Sequence, residues 1–350
     1  MVKSVNISGR LVGPGHPCLI IAEAGVNHNG DPEIARRLVN AAAEAGADAV
    51  KFQTFKADKL ASEGAPKADY QRRTTSASES QTTMLRRLEL SEEAHRDLMA
   101  HCVRRKILFL SSAFEEDSAD LLDRFGLPAF KVPSGEITNL SFVEHVARFG
   151  KPLIVSTGMA TEGEVAQAVD VIRKTGNEQI ILLQCTSAYP ADPADVNLRA
   201  MQTMADEFGV PVGYSDHTRG IEVMLAAVAL GACVVEKHFT LDRSMPGPDH
   251  QASVDSAELS ALVRGIRNVE KALGDGRKVP AASEADTAAV ARKSLVAIKD
   301  VPKGAIITAA MIGAKRPGIG LAPAFRGEVL GKHAATLIRA GTLISWDMLK

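Results

Sequence analysis

The sequence has little that would mark it for a nucleic acid, a membrane or an oxidising compartment. Only 4% of its 350 residues are aromatic, and 41 basic against 42 acidic residues leave a formal net charge of -1. A nucleic-acid binder usually carries a basic excess, so that class is excluded. A small anionic substrate is not, because a few local lysines suffice to hold one. The four cysteines, Cys18, Cys102, Cys185 and Cys233, stand far apart with no CxxC pair. That argues against a disulfide framework or a structural zinc site and for a reducing cytoplasm. The opening MVKSVNISGRLVG lacks the apolar core of a signal peptide. The longest nearly apolar run, Val223–Val235, is too short for the ~20 residues of a bilayer span. A soluble, cytoplasmic protein without a membrane or nucleic-acid partner is expected.

What is present is a long alternation. Short β-branched apolar runs begin at Cys18, Ala49, Ile107, Ala129, Leu153, Ile180, Val210 and Cys233. Continuous runs of this kind suit parallel strands covered on both faces. Between them lie helical stretches with capping signals, such as Asp31-Pro32 before and Gly46 after the first, and Ser91 before SEEAHRDLMAHCVRR. Eight strand-helix units in about 250 residues predict an α/β fold of the (β/α)8 TIM-barrel class. An open doubly wound sheet is the weaker alternative, since the first strand lacks a GxGxxG turn. The barrel is expected over residues 1–274, a linker over 275–290 and a small β-rich domain over 291–350. In that tail GAIITAAMI from Gly304 and GTLISWDML from Gly341 repeat one pattern and read as short β segments, with Arg316 in the glycine-flanked loop KRPGIG between them. The connection 56–90 is long enough to be a lid or a binding loop.

Every predicted strand ends in polar or ionisable residues, and in a barrel these ends converge on the catalytic face. The ends deliver Glu23, Asn27 and His28; Lys51 and Gln53; Ser111 and Ser112; Lys131, Ser134 and Glu136; Ser156 and Thr157; Thr186, Ser187 and Tyr189; Asp216 and His217; and Glu236, Lys237 and His238. His217 and His238 close consecutive strands, which lie about 5 Å apart in a sheet. Two imidazoles at that spacing can share one divalent cation and leave positions open for substrate and water. Glu23 or Asp249 could add a carboxylate. Lys51 and Lys131 with Ser112, Ser134 and Ser156 form a cationic, hydroxyl-rich wall suited to a phosphate and a carboxylate. The same lysines could instead be spent on ion pairs with Glu23, Glu136 and Glu236. Glu23 is the candidate general acid or base. A Schiff-base aldolase using Lys51, Lys131 or Lys237, and a sugar-binding protein without catalysis, are the competing readings.

In chain order IIAEAGVNHNGD, VKFQTF, KVPSGE, STGM, GYSDHT, EKHFTLD and PGPDH resemble the sialic acid synthase family, and ARKSLVA…KRPGIG resembles its antifreeze-like (SAF) domain. The resemblance implies condensation of phosphoenolpyruvate with an open-chain N-acetylated sugar aldehyde to a nine-carbon 2-keto acid and phosphate, by C–O cleavage. It implies that His217 and His238 hold a divalent metal, Mn2+ before Mg2+ or Co2+, and that Glu23 handles protons. Lys51, Ser112, Lys131, Ser134, Ser156 and Ser187 would bind phosphoenolpyruvate. Gln53, Glu136, Tyr189 and Asp249 would meet the sugar, and Arg316 would reach its N-acyl group from the other subunit of a domain-swapped homodimer. Three departures from the N-acetylneuraminate pattern stand out. Ser187 replaces an asparagine, Ser112 a threonine, and Arg292 an aromatic that touches the sugar. With LDRSMPGPDH, Arg292 points toward legionaminate-type synthases, whose substrate is 2,4-diacetamido-2,4,6-trideoxymannose.

Overall fold

The computed structural model describes residues 2–76 and 78–350. Eight parallel strands follow one another around a closed barrel: β1 (Leu19–Gly25), β2 (Ala49–Thr54), β3 (Leu108–Ala113), β4 (Phe130–Val132), β5 (Leu153–Ser156), β6 (Ile180–Cys185), β7 (Val212–Asp216) and β8 (Val234–His238). Strand β8 pairs with both β7 and β1 and so closes the cylinder. The apolar runs are continuous because each strand is buried twice. Side chains of one parity, among them Ile20, Val50, Phe52, Phe130, Val155, Leu182 and Val235, pack against the surrounding helices. Those of the other parity, Leu19, Ile21, Ala49, Leu110, Ile154, Ile181, Leu183 and Val234, fill the barrel itself.

That inner core is sealed where the strands begin. An antiparallel hairpin, Val5–Ile7 with Arg10–Val12, inserts Val5, Ile7 and Val12 into the same cluster. One end of the barrel is thus plugged with hydrocarbon, which leaves the other for chemistry. The capping signals act as expected: Asp31 accepts from the Glu33 amide ahead of Pro32, and Gly46 ends the helix with a φ of 83°. Thr161 with Glu164 and Asp255 with Glu258 form capping boxes.

The connection 56–90 is not structureless. It carries the short helices Ala57–Leu60, Asp69–Thr74 and Gln81–Arg86, with Met84 and Leu88 packed on Val26 and Phe55. Of the four arginines in this connection, Arg72, Arg86 and Arg87 pair with Asp69, Asp58 and Glu79, the solvated role a surface arginine usually has, whereas Arg73 lines the cavity at the strand ends.

A second unit comprises Asp275–Lys350. The stretch read as a linker contains a helix that starts at Ala285 and ends at Ala291. Strands Ser294–Ala297 and Ile312–Lys315 pair antiparallel over a core of Leu295, Val301, Ile307, Ile312, Ile338 and Ile344. The expectation that the repeated segments are strands is corrected. They form turns with isolated bridges, Ile306–His333 and Ala334–Leu349 among them. Each repeat begins at a glycine with positive φ, 82° at Gly304 and 87° at Gly341, and places one buried isoleucine, Ile307 or Ile344, three residues on. The pattern encodes a turn and a core anchor. Arg316 is exposed. Its loop is held to the first strand of the unit by two hydrogen bonds. Ser294 Oγ donates to the Pro317 carbonyl at 2.7 Å and accepts from the Gly320 amide at 2.8 Å.

Candidate active site at the strand ends

Parity along each strand decides which polar ends face inward. Glu23 continues the inward row of Leu19 and Ile21. Lys51 continues that of Ala49, Ser112 that of Leu110, and Ser156 that of Ile154. These side chains open into a cavity of about 640 Å³, which is also lined by Gln53, Lys131, Ser134, Glu136, Ser187, Tyr189, His217, His238 and Asp249. All the expected site residues of the barrel are therefore brought to one place. Arg316 belongs to the second unit.

The floor is electrostatic. Lys51 Nζ lies 2.6 Å from Glu23 Oε2 and donates to Ser112 Oγ at 2.8 Å. Glu236 sits between the two lysines, 3.6 Å from Lys51 and 3.5 Å from Lys131, and accepts from Ser215 Oγ at 3.1 Å. Burial alone would raise the Glu236 carboxyl, but Lys131 and then Lys51 outweigh it and hold it down to about 2. Burial opposes the charge of Lys51 as well, yet Glu23 and Glu236 keep its pKa above the ordinary value. Glu23 goes the other way. Burial is the largest cause, Lys51 resists it and Glu236 adds to it, so the carboxyl is raised to about 7. Burial lowers the Lys131 pKa against the pull of Glu236. The two lysines thus share one fixed carboxylate, Glu236, and one whose charge burial opposes, Glu23, and the Lys51–Lys131 floor suits an anion.

Ser156 Oγ is buried without a hydrogen-bond partner, so a donor waits in the floor. Beside it the Gly158 amide donates to Ser134 Oγ at 3.0 Å. A Cβ on Gly158 would stand 2.3 Å from Ser187 Oγ and 2.8 Å from Ser134 Oγ. The glycine therefore lets two hydroxyls approach the backbone where a side chain would stand. Gly158→Ala should displace both, and losing one charge-assisted hydrogen bond at roughly 1.5–3 kcal/mol raises the KM for an anionic substrate about 10–100-fold. Steady-state kinetics with that substrate varied check this, and an unchanged KM removes the two hydroxyls from the binding site.

Above the floor the ring centroids of His217 and His238 are 5.4 Å apart. His217 Nδ1 is 2.7 Å from the Thr186 carbonyl. A carbonyl can only accept, so in the neutral ring Nδ1 carries the proton and Nε2 keeps a lone pair. Burial, then His217 and Lys51, lower the His238 pKa far below the ordinary value and leave its ring neutral. Its Nδ1 is buried without a hydrogen-bond partner and lies 4.0 Å from Asp249 Oδ2. Burial raises the Asp249 carboxyl to about 6. Burial opposes the charge of His217, but its contacts with Cys185 and the Thr186 carbonyl raise its pKa above the ordinary value. The pair therefore fits a divalent cation that takes the place of the His217 Nε2 proton beside the neutral His238 ring. Among the described residues no three His, Cys, Asp or Glu side chains have metal-ligand spacing, so the protein offers this pair and leaves other positions for oxygen donors. Tyr189 packs its ring 4.1 Å from His217, and Tyr70 from the 56–90 connection stacks on Tyr189 at 4.8 Å.

The family comparison is decisive. Residues 38–278 match the model of the NeuB family and residues 292–350 that of the SAF domain. The chain belongs to the NeuB family. It is 51% identical over 328 residues to the N,N'-diacetyllegionaminic acid synthase of Campylobacter jejuni, across 93% of this chain and 98% of that one. To the enzyme of the same name from Legionella pneumophila it is 48% identical, across 97% and 96%. A solved structure of a sialic acid synthetase from Leptospira borgpetersenii superimposes with a TM-score of 0.74 at 33% identity, covering 82% of this chain and 95% of that one. The expectation of a sialic acid synthase-type enzyme, with a barrel and a small SAF domain, stands on this membership of the NeuB family.

Some strand-end residues do not reach the cavity. Ser111 and Lys237 have the outward parity. Ser111 Oγ bonds Thr54 Oγ1 at 2.7 Å, and Lys237 pairs with Asp216 at 2.5 Å behind the sheet. Asn27 is buried against Phe239 and Ser253. Other lining residues went unnoticed as site candidates: Cys185, Ser215 and Tyr70. Cys185 and Ser215 were readable from parity, being inward like Leu183 and Glu236. Tyr70 sits in a connection whose path no local pattern reveals.

Proposed function

We propose that this chain condenses phosphoenolpyruvate with 2,4-diacetamido-2,4,6-trideoxymannose, giving N,N'-diacetyllegionaminic acid and phosphate, with Mn2+ bound at His217 and His238. The carrying observation is the meeting, in one cavity, of two adjacent imidazoles, a raised Glu23 and the Lys51–Lys131 anion floor. The choice of sugar is supported by the two diacetyllegionaminic acid synthases at 51% and 48% identity. N-acetylmannosamine is the alternative, supported by the sialic acid synthetase of Leptospira borgpetersenii at 33% identity.

Lys51 and Lys131, with Ser112, Ser134, Ser156 and Ser187, hold the phosphate and carboxylate of phosphoenolpyruvate. Gln53, Glu136, Tyr189 and Asp249 hold the sugar over it. The bound metal supplies Lewis-acid polarisation of the aldehyde. The enol C3 bonds to the aldehyde carbon, whose oxygen takes a proton. Water then adds at C2, the C2–O bond to phosphate breaks, and a 2-keto group remains. Glu23, poised near neutrality, passes the protons. Among the described residues no helix is long and apolar enough to cross a membrane, and a cytoplasmic location, where phosphoenolpyruvate is made, completes the reading.

Phosphate release should require phosphoenolpyruvate, sugar and divalent metal together, and be faster with the diacetamido sugar than with N-acetylmannosamine in parallel assays. Release without any metal, or none across a panel of N-acyl sugars, defeats the proposal. The Schiff-base alternative loses Lys237, which faces away from the cavity, and Lys51, which is held charged, and keeps Lys131, whose pKa burial lowers. Borohydride trapping of an adduct would restore it.

The same reading places the SAF domain in a domain-swapped homodimer, with Arg316 meeting the N-acyl group in the partner subunit. Arg316 Nε donates to the Ala291 carbonyl at 3.0 Å, which aims an otherwise exposed guanidinium. Arg316→Ala should raise the sugar KM about 10-fold or more, the value of a charge-assisted hydrogen bond, and leave that of phosphoenolpyruvate within twofold. Equal sugar kinetics in variant and unsubstituted enzyme remove Arg316 from the site.

A further inference from the structure

A buried ion pair that the reaction does not touch lies on the outer face of β7 and β8. Lys237 and Asp216 are partners in the strand register, 2.5 Å apart, with side chains 1% and 0% exposed. The Lys237 ammonium also donates to the Thr218 carbonyl at 2.5 Å. The other oxygen of Asp216 accepts from the Thr218 amide at 2.8 Å and from the Tyr214 hydroxyl at 2.9 Å. The network is buried and made wholly within the protein, which suits a structural device better than a reactive group.

Its position is what matters. Asp216 immediately precedes His217, and Lys237 immediately precedes His238. One ammonium from β8 therefore grips the chain on both sides of His217, through the Asp216 carboxylate and the Thr218 carbonyl, and the next residue along β8 is the second imidazole. The backbone ladder between β7 and β8 ends at Asp216–Lys237. Beyond it His217 is tied to the β6 side, through the Thr186 carbonyl and the Ala191 amide. Lys237 carries the link to β8 one residue further. An apolar pair would join two strands as firmly, since buried ion pairs add little net stability, but it would lack direction.

We propose that the Lys237–Asp216 pair is a positioning clamp that fixes the separation and orientation of the two imidazoles, and so sets the site's affinity for a divalent cation. This rests on the metal reading given above. Outer partners of metal ligands commonly change affinity 10–100-fold when removed.

The test compares the full chain with Lys237→Met/Asp216→Asn, which removes both charges together and leaves none unpaired. Mn2+ binding is followed by the electron paramagnetic resonance of free Mn2+, alongside thermal melting, the phosphoenolpyruvate KM and a crystal structure. The double variant should melt cooperatively, bind Mn2+ about 10–100-fold more weakly, keep its phosphoenolpyruvate KM within twofold, and show a ring separation different from 5.4 Å. Asp216→Asn alone, nearly isosteric, is the second variant if the double one fails to fold. It keeps an acceptor for the Thr218 amide and should bind Mn2+ more weakly than the full chain. Unchanged Mn2+ affinity with an unchanged ring separation in either folded variant overturns the clamp. Failure of the unsubstituted chain to bind Mn2+ overturns the metal reading instead, and the ring separation alone then decides on the clamp.

Discussion

His238→Ala should lower the rate of phosphate release by on the order of 10³-fold, the several kcal/mol of transition-state stabilisation a bound metal supplies, while the barrel melts within a few degrees of the unsubstituted protein. The two halves of this expectation have separate causes. The imidazole is a neutral ring whose Nδ1 has no hydrogen-bond partner, so its removal breaks no bond within the protein. The space it leaves opens onto the cavity, where water enters, unlike a sealed hole in the core. Leu183, buried in the barrel at 0% exposure, is the contrasting case, where truncation costs about 2–5 kcal/mol. His217→Ala is a poorer probe because that ring also bonds the Thr186 carbonyl and packs on Tyr189. Mn2+ titration, phosphate release and thermal melting of metal-free protein measure the three quantities side by side. A variant that keeps its Mn2+ affinity and more than a tenth of its activity removes His238 from the metal site.

The barrel could be read from the sequence because a parallel strand buried on both faces has only one kind of composition. Which strand-end groups face the substrate follows from period two, and the case of Lys237 shows how. Glu236 and His238 share one parity on β8, so the lysine between them must point the other way, toward Asp216. Treating the whole strand end as a site overlooked that constraint. The close approach of two hydroxyls to Gly158 was out of reach, since it exists only where the loop after β5, the turn at Ser134 and the loop at Ser187 converge. The plug hairpin was equally hidden, because strands of three residues carry too few alternations to stand out. The tail repeat misled for a physical reason. A glycine turn followed by one buried isoleucine has the same short apolar signature as a strand, and only the pairing partner distinguishes them.

Glu23→Gln should cut turnover by about 10²–10⁴-fold, the usual share of a positioned proton-transfer group, and should also change how activity and stability depend on pH. The glutamine keeps the size of the side chain and can still meet Gln53, which now lies 3.2 Å from Glu23 Oε1. What it lacks is a titrating proton. Burial, with Glu236 adding and Lys51 resisting, raises the Glu23 carboxyl from 4.5 to about 7. The unsubstituted enzyme should therefore show a limb near pH 7 in its turnover profile, and the variant should lose that limb along with the rate. The sign for stability follows from the same shift. A carboxyl raised in the folded state contributes fully below the unfolded value of 4.5, and that contribution is lost as the pH rises through about 7. Glu236, depressed to about 2, contributes above 4.5 and loses its share only as the pH falls toward 2, so it is constant across the range that matters. Between about pH 4.5 and 7 the unsubstituted protein should lose stability that the glutamine variant has no carboxyl left to lose. The variant's urea midpoint should accordingly fall less over that interval. A variant with the same limb near pH 7 would show that another group carries the proton, and Asp249, raised to about 6, is the one the cavity then offers.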